Sequence, residues 1–408
     1  MKRVYTPAKK KSVLIVDNDQ IFVPIYEETF QLHGLKVEVV NRPELAVEKL
    51  EQNKFDLVIL DLCLPGMNGL EILTRIRRSG DAMLPVIVFA NPYLGRQGRE
   101  ALAAGANKCL SKGETTPAAM LAIVRELLGD SQPSATDAAD EWSELQSQRK
   151  LGGSLLAAAP QTLAKLRAGY QVVTRTEDRE LLKAALSDLQ TQVHPLVNAV
   201  HLSGFRKIAQ MAGAMEGLSL ELHANPQKLT RSVARTLGQA IDTLAHLTVT
   251  VSSSNSDDLE LPKVLVVDDE VISREAICSA LGKAHLTPVS LDDSLAAETL
   301  LTQEHFDLIF LDVEMPGKSG LELCASIRAM KTNRTTPVVY VTSHSDFAMQ
   351  AKSVLSGGND FIAKPFLSVE LALKALTWLF PVKARLAASA TPPPEPSIAT
   401  EPKTAALA

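Results

Sequence analysis

Val13-Leu14-Ile15-Val16-Asp17 and Val264-Leu265-Val266-Val267-Asp268 are two renderings of one phrase, a short apolar run that ends on an acid. The match continues downstream. Phe55-Asp56-Leu57-Val58-Ile59-Leu60-Asp61 is answered by Phe306-Asp307-Leu308-Ile309-Phe310-Leu311-Asp312, and the step from Asp17 to Asp61 equals the step from Asp268 to Asp312. Leu64-Pro65-Gly66 and Gly69-Leu70-Glu71 pair with Met315-Pro316-Gly317 and Gly320-Leu321-Glu322. Pro85-Val86-Ile87-Val88 pairs with Pro337-Val338-Val339-Tyr340 after a one-residue slip. A repeat of this length fixes the architecture before any element is named. In each copy, short continuous apolar runs alternate with longer amphipathic stretches. That pattern reads as strands buried on both faces and separated by helices, a parallel α/β sheet.

Ligands of such sheets bind beyond the carboxyl ends of the strands. Asp268, Asp312, Thr342 and Lys364 each fall at the end of an apolar run, so the fold gathers acids, a hydroxyl and an ammonium at one edge. A carboxylate attacking phosphorus must overcome like-charge repulsion, and Mg²⁺ held by hard oxygens offsets it. Asp268 and Asp269, with Asp312, supply such a carboxylate nest, and the main-chain carbonyl of Glu314 can complete it. Asp312 is the natural nucleophile, forming an acyl phosphate. Lys364 brings positive charge to the phosphoryl oxygens and Thr342 a hydrogen bond.

With these residues in view, the segment 262–382 resembles the response-regulator receiver family. It has the Asp268-Asp269-Glu270 start, the Asp312 loop with Met315-Pro316-Gly317, Thr342-Ser343, and Lys364-Pro365. The resemblance implies a flavodoxin-like doubly wound domain, phosphorylation of Asp312, Mg²⁺ at Asp268 and Asp269, and a switch through Thr342 and Phe361. Residues 11–128 resemble the same family in a degenerate form. They keep Asp17, Asp61 and Lys112, but Asn18 replaces the second acid, Ala90 stands for Thr342, Cys109 for Phe361 and Gly113 for Pro365. Asp17 and Asn18 form a weaker metal nest. Two readings follow: slow phosphorylation of Asp61, or a pseudo-receiver that serves as a docking surface, the second favoured by the joint loss of acid and hydroxyl.

Between the copies the texture changes. Residues 129–150 begin polar and breaker-rich and read as a linker, 151–250 as a helical bundle, and 251–261 as a second linker. Ile208, Met211, Met215, Leu218 and Leu222 mark an amphipathic helix. Leu189, Val193, Leu196 and Val200 mark another, and His194 lies with Asn198 and His201 on a different face, a position that can be exposed while its helix packs inward. Gly204 reads as a C-cap. The segment resembles a histidine phosphotransfer (HPt) domain through His194, Gly204-Phe205 and the Ile208, Met211, Met215-Glu216 pattern. It departs from that family at Val197 and Asn198, where Lys-Gly is usual. Pro195 directly after His194 costs about 3 kcal/mol in a helix interior unless the helix bends or begins there. The implied role for His194 is a phosphohistidine that exchanges with Asp312.

The remaining composition narrows the alternatives. The chain has 408 residues, more than one core holds, with 46% hydrophobic and 22% charged residues and a net charge of −5. That balance argues against wrapping a polyanion, so no nucleic-acid partner is expected, and the basic start at Lys2, Arg3, Lys9, Lys10 and Lys11 reads as a solvated arm. Cys63, Cys109, Cys278 and Cys324 are far apart and form neither a zinc nor a redox motif, which suits a reducing compartment. No signal-like or membrane-spanning run is present, so a cytoplasmic bacterial protein is expected. Residues 388–408 read as a disordered Pro/Ala-rich tail. Gly357-Gly358-Asn359-Asp360-Phe361 is superficially similar to a diguanylate cyclase signature, but it falls in the loop and strand start expected of a receiver. No nucleotide-binding loop or helix-turn-helix is found. The chain is therefore expected to be a phosphoacceptor rather than an enzyme. Its expected partners are a sensor histidine kinase or phosphotransfer protein and a downstream protein target. The competing reading is a phosphorylation-gated scaffold in which the first copy and the bundle only dock partners.

Overall fold

The computed structural model describes residues 10–19, 23–64, 67–79, 83–91, 95–112, 115–129, 137–176, 178–197, 205–251, 262–343 and 356–380. The basic arm up to Lys9, Gly113, Asn198, Val200, His201, Gly204, the stretch 252–258 and the tail lie outside these residues.

Each copy forms a five-stranded parallel sheet. In the first, β1 (Ser12–Val16), β2 (Lys36–Val40), β3 (Leu57–Asp61), β4 (Val86–Ala90) and β5 (Lys108–Ser111) lie in the order β2-β1-β3-β4-β5. In the second, β6 (Val264–Val267), β7 (Val289–Leu291), β8 (Leu308–Asp312), β9 (Val338–Thr342) and β10 (Asp360–Ala363) repeat that order from β7 to β10. The register repeats as well, since Ile15 pairs with Ile59 and Val266 with Phe310. The central strands β3, β4, β8 and β9 are buried along their whole length, as their continuous apolar sequence requires. The order reverses at the first strand of each sheet, so Asp17 and Asp61, and likewise Asp268 and Asp312, meet at a switch point. Glycine is obligatory just past each central acid. A Cβ at Gly69 would stand 2.1 Å from the Asp61 carbonyl oxygen, and one at Gly320 1.9 Å from that of Asp312.

Four helices separate the sheets: α6 (Asp137–Arg175), α7 (Arg179–Val197), α8 (Arg206–Ala224) and α9 (Arg231–Val251). The expected linker 129–150 is only partly a linker, because α6 begins at Asp137 and runs unbroken through it. Its polar start belongs to a long helix, which composition alone does not distinguish from coil. Pro195 is accommodated inside α7, which is described as far as Val197, and the expected cap at Gly204 lies outside the described residues. Leu189, Val193 and Leu196 face the bundle core together with Ile208, Met211, Met215, Leu218 and Leu222.

The bundle meets the two sheets differently. One apolar cluster runs without interruption from the bundle helices through Ile277, Leu308, Phe310, Val339 and Val341 of the second copy. The helix after β10, α13 (Ser368–Leu379), is the wedge between them. Every residue from Val369 to Thr377 is buried, as befits a helix enclosed on all sides. The first copy keeps two separate cores of its own, and among its described apolar side chains only Ile25 packs on the bundle cluster. The last helix of that copy, α5 (Pro117–Leu128), buries a single face through Met120, Leu121 and Val124.

Candidate functional site

The second copy assembles its acidic pocket from the ends of β6, β8 and β10. Asp268, Asp269 and Asp312 each place a carboxylate oxygen within 4.8 Å of the others. Lys364 Nζ donates to Asp268 Oδ2 at 3.0 Å and to Asp312 Oδ2 at 3.2 Å. Asp268 is held by the Ser273 hydroxyl at 2.6 Å and by the Glu270 amide at 3.0 Å, while Asp312 accepts from the Val313 amide at 2.7 Å. Asp269 and Glu314 are exposed, and Thr342 is buried at the end of β9. Burial raises the Asp312 pKa and the neighbouring Asp268 adds to the rise, with Lys364 opposing both. Three hard-oxygen acids around one point form the donor set that Mg²⁺ takes.

Phe361 lies half-buried on β10, and the guanidinium of Arg235 from α9 sits over its ring, 5.6 Å from the centroid. Beside it Asp360 is buried and paired with Lys374 at 3.2 Å, and it accepts from Gln239 Nε2 at 3.2 Å and more weakly from Arg235 at 3.4 Å. Ser232 of α9 donates to Glu370 at 2.6 Å. Burial raises the Glu370 pKa and lowers that of Lys374. Asp360, which the sequence shows only as part of the Gly357–Phe361 stretch, thus anchors the junction with the bundle.

The first copy builds a similar pocket and then closes it. Lys112 Nζ donates to Asp17 Oδ2 at 2.7 Å and to Asp61 Oδ2 at 2.8 Å. The exposure open to His194 by its helical position is not realised: its imidazole is buried against this pocket, with Nε2 3.5 Å from Asp61 Oδ2 and 3.3 Å from Lys112 Nζ. The reason is a surface that helical periodicity cannot see, since the face of α7 left free by the bundle is covered by another domain. His194 Nδ1 is 2.5 Å from Glu216 Oε1 of α8. Glu216 also accepts from Asn91 Nδ2, which donates to the Gly213 carbonyl at 3.0 Å as well. Burial and the Lys112 charge oppose protonation of His194, but Glu216 and Asp61 outweigh them and push its pKa up to about 9. Lys112 is raised despite its burial, by Asp17 and Asp61, and Glu216 is lowered despite its own by His194. Three buried carboxylates, Asp17, Asp61 and Glu216, therefore face Lys112 and His194.

Asn18 Oδ1 is buried and has no hydrogen-bond partner, an orphaned oxygen that a cation beside Asp17 and Asp61 would satisfy. A cavity of about 280 Å³ opens next to it, lined by Asn18, Cys63, Met67, Gln190 and His194 among others. Ala90 is buried at the end of β4, where it offers no hydroxyl, and Cys109 packs on the first copy's own core. His194 is thus brought to Asp61, and its expected exchange partner Asp312 keeps to Lys364, Asp268 and the Val313 amide. Asn91 was missed from sequence; its only signal was the change from Thr342-Ser343 to Ala90-Asn91. Arg235 gave no signal at all.

The pattern of the response regulator receiver domain matches residues 13–125 and 264–376. The phosphate regulon transcriptional regulatory protein PhoB of Escherichia coli is 32% identical over 112 residues, which is 28% of this chain and 49% of that protein. The sensor protein GacS of Pseudomonas syringae is 30% identical over 169 residues, 40% of this chain and 18% of that one. The chain thus spans half or less of the length of these curated relatives. Among solved structures, a CheY-like receiver domain protein from Methanospirillum hungatei aligns with 24% identity and a TM-score of 0.29, covering 30% of this chain and 96% of its own. Among the described residues no helix is long and apolar enough to cross a membrane.

Proposed function

This chain belongs to the response regulator receiver family, and from that premise we propose that it is a phosphorelay protein whose phosphoryl entry point is Asp312. The observation that carries the reading is the gathering of Asp268, Asp269, Asp312 and Lys364, with Thr342 at the adjoining strand end. Asp268, Asp269 and Asp312 would hold Mg²⁺, which when bound supplies charge neutralisation for the transferring group. Asp312 Oδ attacks the phosphorus of a phosphohistidine on a partner kinase or phosphotransfer protein. The P–N bond breaks as the P–O bond forms, and the imidazole leaves. Lys364 neutralises the charge on the phosphoryl oxygens, and the Thr342 hydroxyl donates to one of them. The chain itself is an acceptor rather than an enzyme with turnover on a substrate. Thr342 and Phe361 report the phosphorylated state to the bundle through Arg235.

The partner of His194 within the chain is Asp61. As placed, Nε2 and Oδ2 are too close to hold a phosphoryl group between them. An attacking atom stands ~3–3.5 Å from phosphorus in a near-attack arrangement, and phosphorus lies a further bond beyond the carboxylate oxygen. Exchange thus requires the two domains to part slightly. A second reading has its own support. With Asn18, Ala90 and a fully masked Asp61, the first copy is a pseudo-receiver that docks the bundle and nothing more. Phosphoryl labelling with Mg²⁺ and a small-molecule donor separates them, comparing wild type with Asp312→Asn, Asp61→Asn and His194→Ala. Loss of all label in Asp312→Asn establishes a single entry point. Label on His194 that disappears in Asp61→Asn establishes the relay, and label on neither residue leaves the docking reading standing.

A further inference from the structure

Asn91 follows Ala90 at the end of β4, where the second copy has Ser343 after Thr342. The two side chains serve different neighbours. Ser343 is exposed and reaches Glu314 of its own domain at 3.4 Å. Asn91 is buried and leaves its domain, donating to the Gly213 carbonyl at 3.0 Å and to the Glu216 carboxylate, both on α8. Glu216 accepts in turn from His194 Nδ1, which leaves Nε2 as the nitrogen facing Asp61 and Lys112. The chain of contacts runs from Asn91 to Glu216 to His194 to Asp61, so it leaves the first copy through one strand end and returns through the next. A serine hydroxyl carries one hydrogen, whereas an amide nitrogen carries two and can serve a helix carbonyl and a carboxylate together.

We propose that Asn91 is a positioning residue that assigns His194 to the N-terminal receiver, acting through Glu216. The part of the proposal that concerns phosphoryl transfer rests on His194 being a phosphoryl carrier; the part that concerns positioning does not. In the exchange the P–Nε2 bond breaks as a bond from phosphorus to an Asp61 carboxylate oxygen forms. Nδ1 keeps its proton towards Glu216, and the imidazole leaves neutral. A buried carboxylate held by two donors cannot swing away, so Glu216 fixes the plane of the ring and Asn91 fixes Glu216.

The test uses the full chain. Carbethoxylation of His194 by diethyl pyrocarbonate is followed by peptide mass spectrometry in wild type, Asn91→Ser, Glu216→Ala and the double variant. His223, exposed on α8, normalises reagent reactivity, and circular dichroism of each variant reports general unfolding. Asn91→Ser should raise the His194 rate relative to His223 by about tenfold, the scale of one lost charge-assisted hydrogen bond. In the Glu216→Ala background the same change should add nothing, because its route is already cut. A rate within about twofold of wild type, or effects of the two substitutions that simply multiply, overturns the proposal. In parallel, the ratio of Asp61 to Asp312 label drawn from phosphorylated His194 should fall about tenfold in Asn91→Ser. If His194 never carries label in wild type, the relay reading fails, and the carbethoxylation result still decides the role of Asn91.

Discussion

The two receivers hold the same sheet, the same strand order and the same lysine between two acids, yet they present different sides to the bundle. The first turns its acidic pocket inwards and is joined through Asp61, Lys112, His194, Glu216 and Asn91, a polar seam with little apolar contact. The second turns the pocket outwards and is joined through α13 and the strands behind it, sharing one apolar core with the helices. An apolar junction is strong and indifferent to charge state, because its stabilisation follows buried area. A buried polar seam depends on every member being paired and charged correctly. The same fold is thus joined once through an apolar core and once through a seam whose strength follows the charges at its site.

The largest test of this contrast removes the same lysine from both copies. The Lys112 side chain is 1% exposed and that of Lys364 18%. Lys112→Met leaves Asp17, Asp61 and Glu216 facing His194 alone, and should destabilise the first copy and its docking by about 3–5 kcal/mol. Lys364→Met leaves Asp268 still held by Ser273 and the Glu270 amide, and should cost only about 1–2 kcal/mol while abolishing efficient Asp312 phosphorylation. Denaturant melts of the two variants make the comparison, and equal losses would break it.

The next effect is a pH dependence confined to the polar seam. The His194 pKa is pushed up from an ordinary 6.5 to about 9. A raised pKa means that the folded state binds the proton more tightly, so the stabilisation is complete below about pH 6.5 and drains away as pH rises through 9. The span corresponds to something on the order of 3 kcal/mol. In metal-free buffer, thermal melts of wild type should therefore fall between pH 6.5 and 9.5, and those of His194→Gln should be flatter. Parallel curves would show that the seam is insensitive to this charge.

Much of this was legible in the sequence, and the rest was not for identifiable reasons. Both sheets, the acids at their strand ends and the lysines follow from apolar runs and the repeat, because buried parallel strands leave a continuous signal. The bundle followed from the spacing of Leu189, Val193 and Leu196 and of Ile208 to Leu222. The docking of His194 was invisible, since periodicity identifies the face turned to its own bundle and says nothing of what covers the other. Asp360, Glu370 and Lys374 carry no burial signal in the sequence, with Glu370 and Lys374 one helical turn apart, yet all three are buried at a junction between domains.

A smaller effect asks whether Asp61 is idle for lack of a hydroxyl or because it is covered. Ala90 occupies the place that Thr342 has in the second copy, and both are buried at the ends of their strands. Ala90→Thr with Asn18→Asp restores the hydrogen bond and the second acid, and should raise donor-driven labelling of Asp61 by about tenfold. If label appears only when His194→Ala is added, the bundle rather than the missing groups silences the site. That outcome would sharpen the role of the polar seam at the expense of the degeneracy.

The smallest effect concerns how the outward-facing receiver speaks to the bundle. Arg235 lies over the Phe361 ring and also reaches Asp360, while its own side chain is 54% exposed. A half-exposed cation on an aromatic face is worth about 0.5–1 kcal/mol, so Arg235→Ala should hardly change the melting of the second copy. In the first copy Cys109 stands in the place of Phe361 and packs on its own core. If the Phe361 ring moves when Asp312 is phosphorylated, Arg235 is the bundle residue that feels it first, and α9 packs on both α8 and α13. Hydrogen exchange of α8 and α9 should therefore respond to phosphorylation in wild type and lose that response in Arg235→Ala, with Asp312 labelling itself changed less than about fivefold. An unaltered exchange response would place the signal in the apolar wedge of α13 instead, and would make the second junction purely structural.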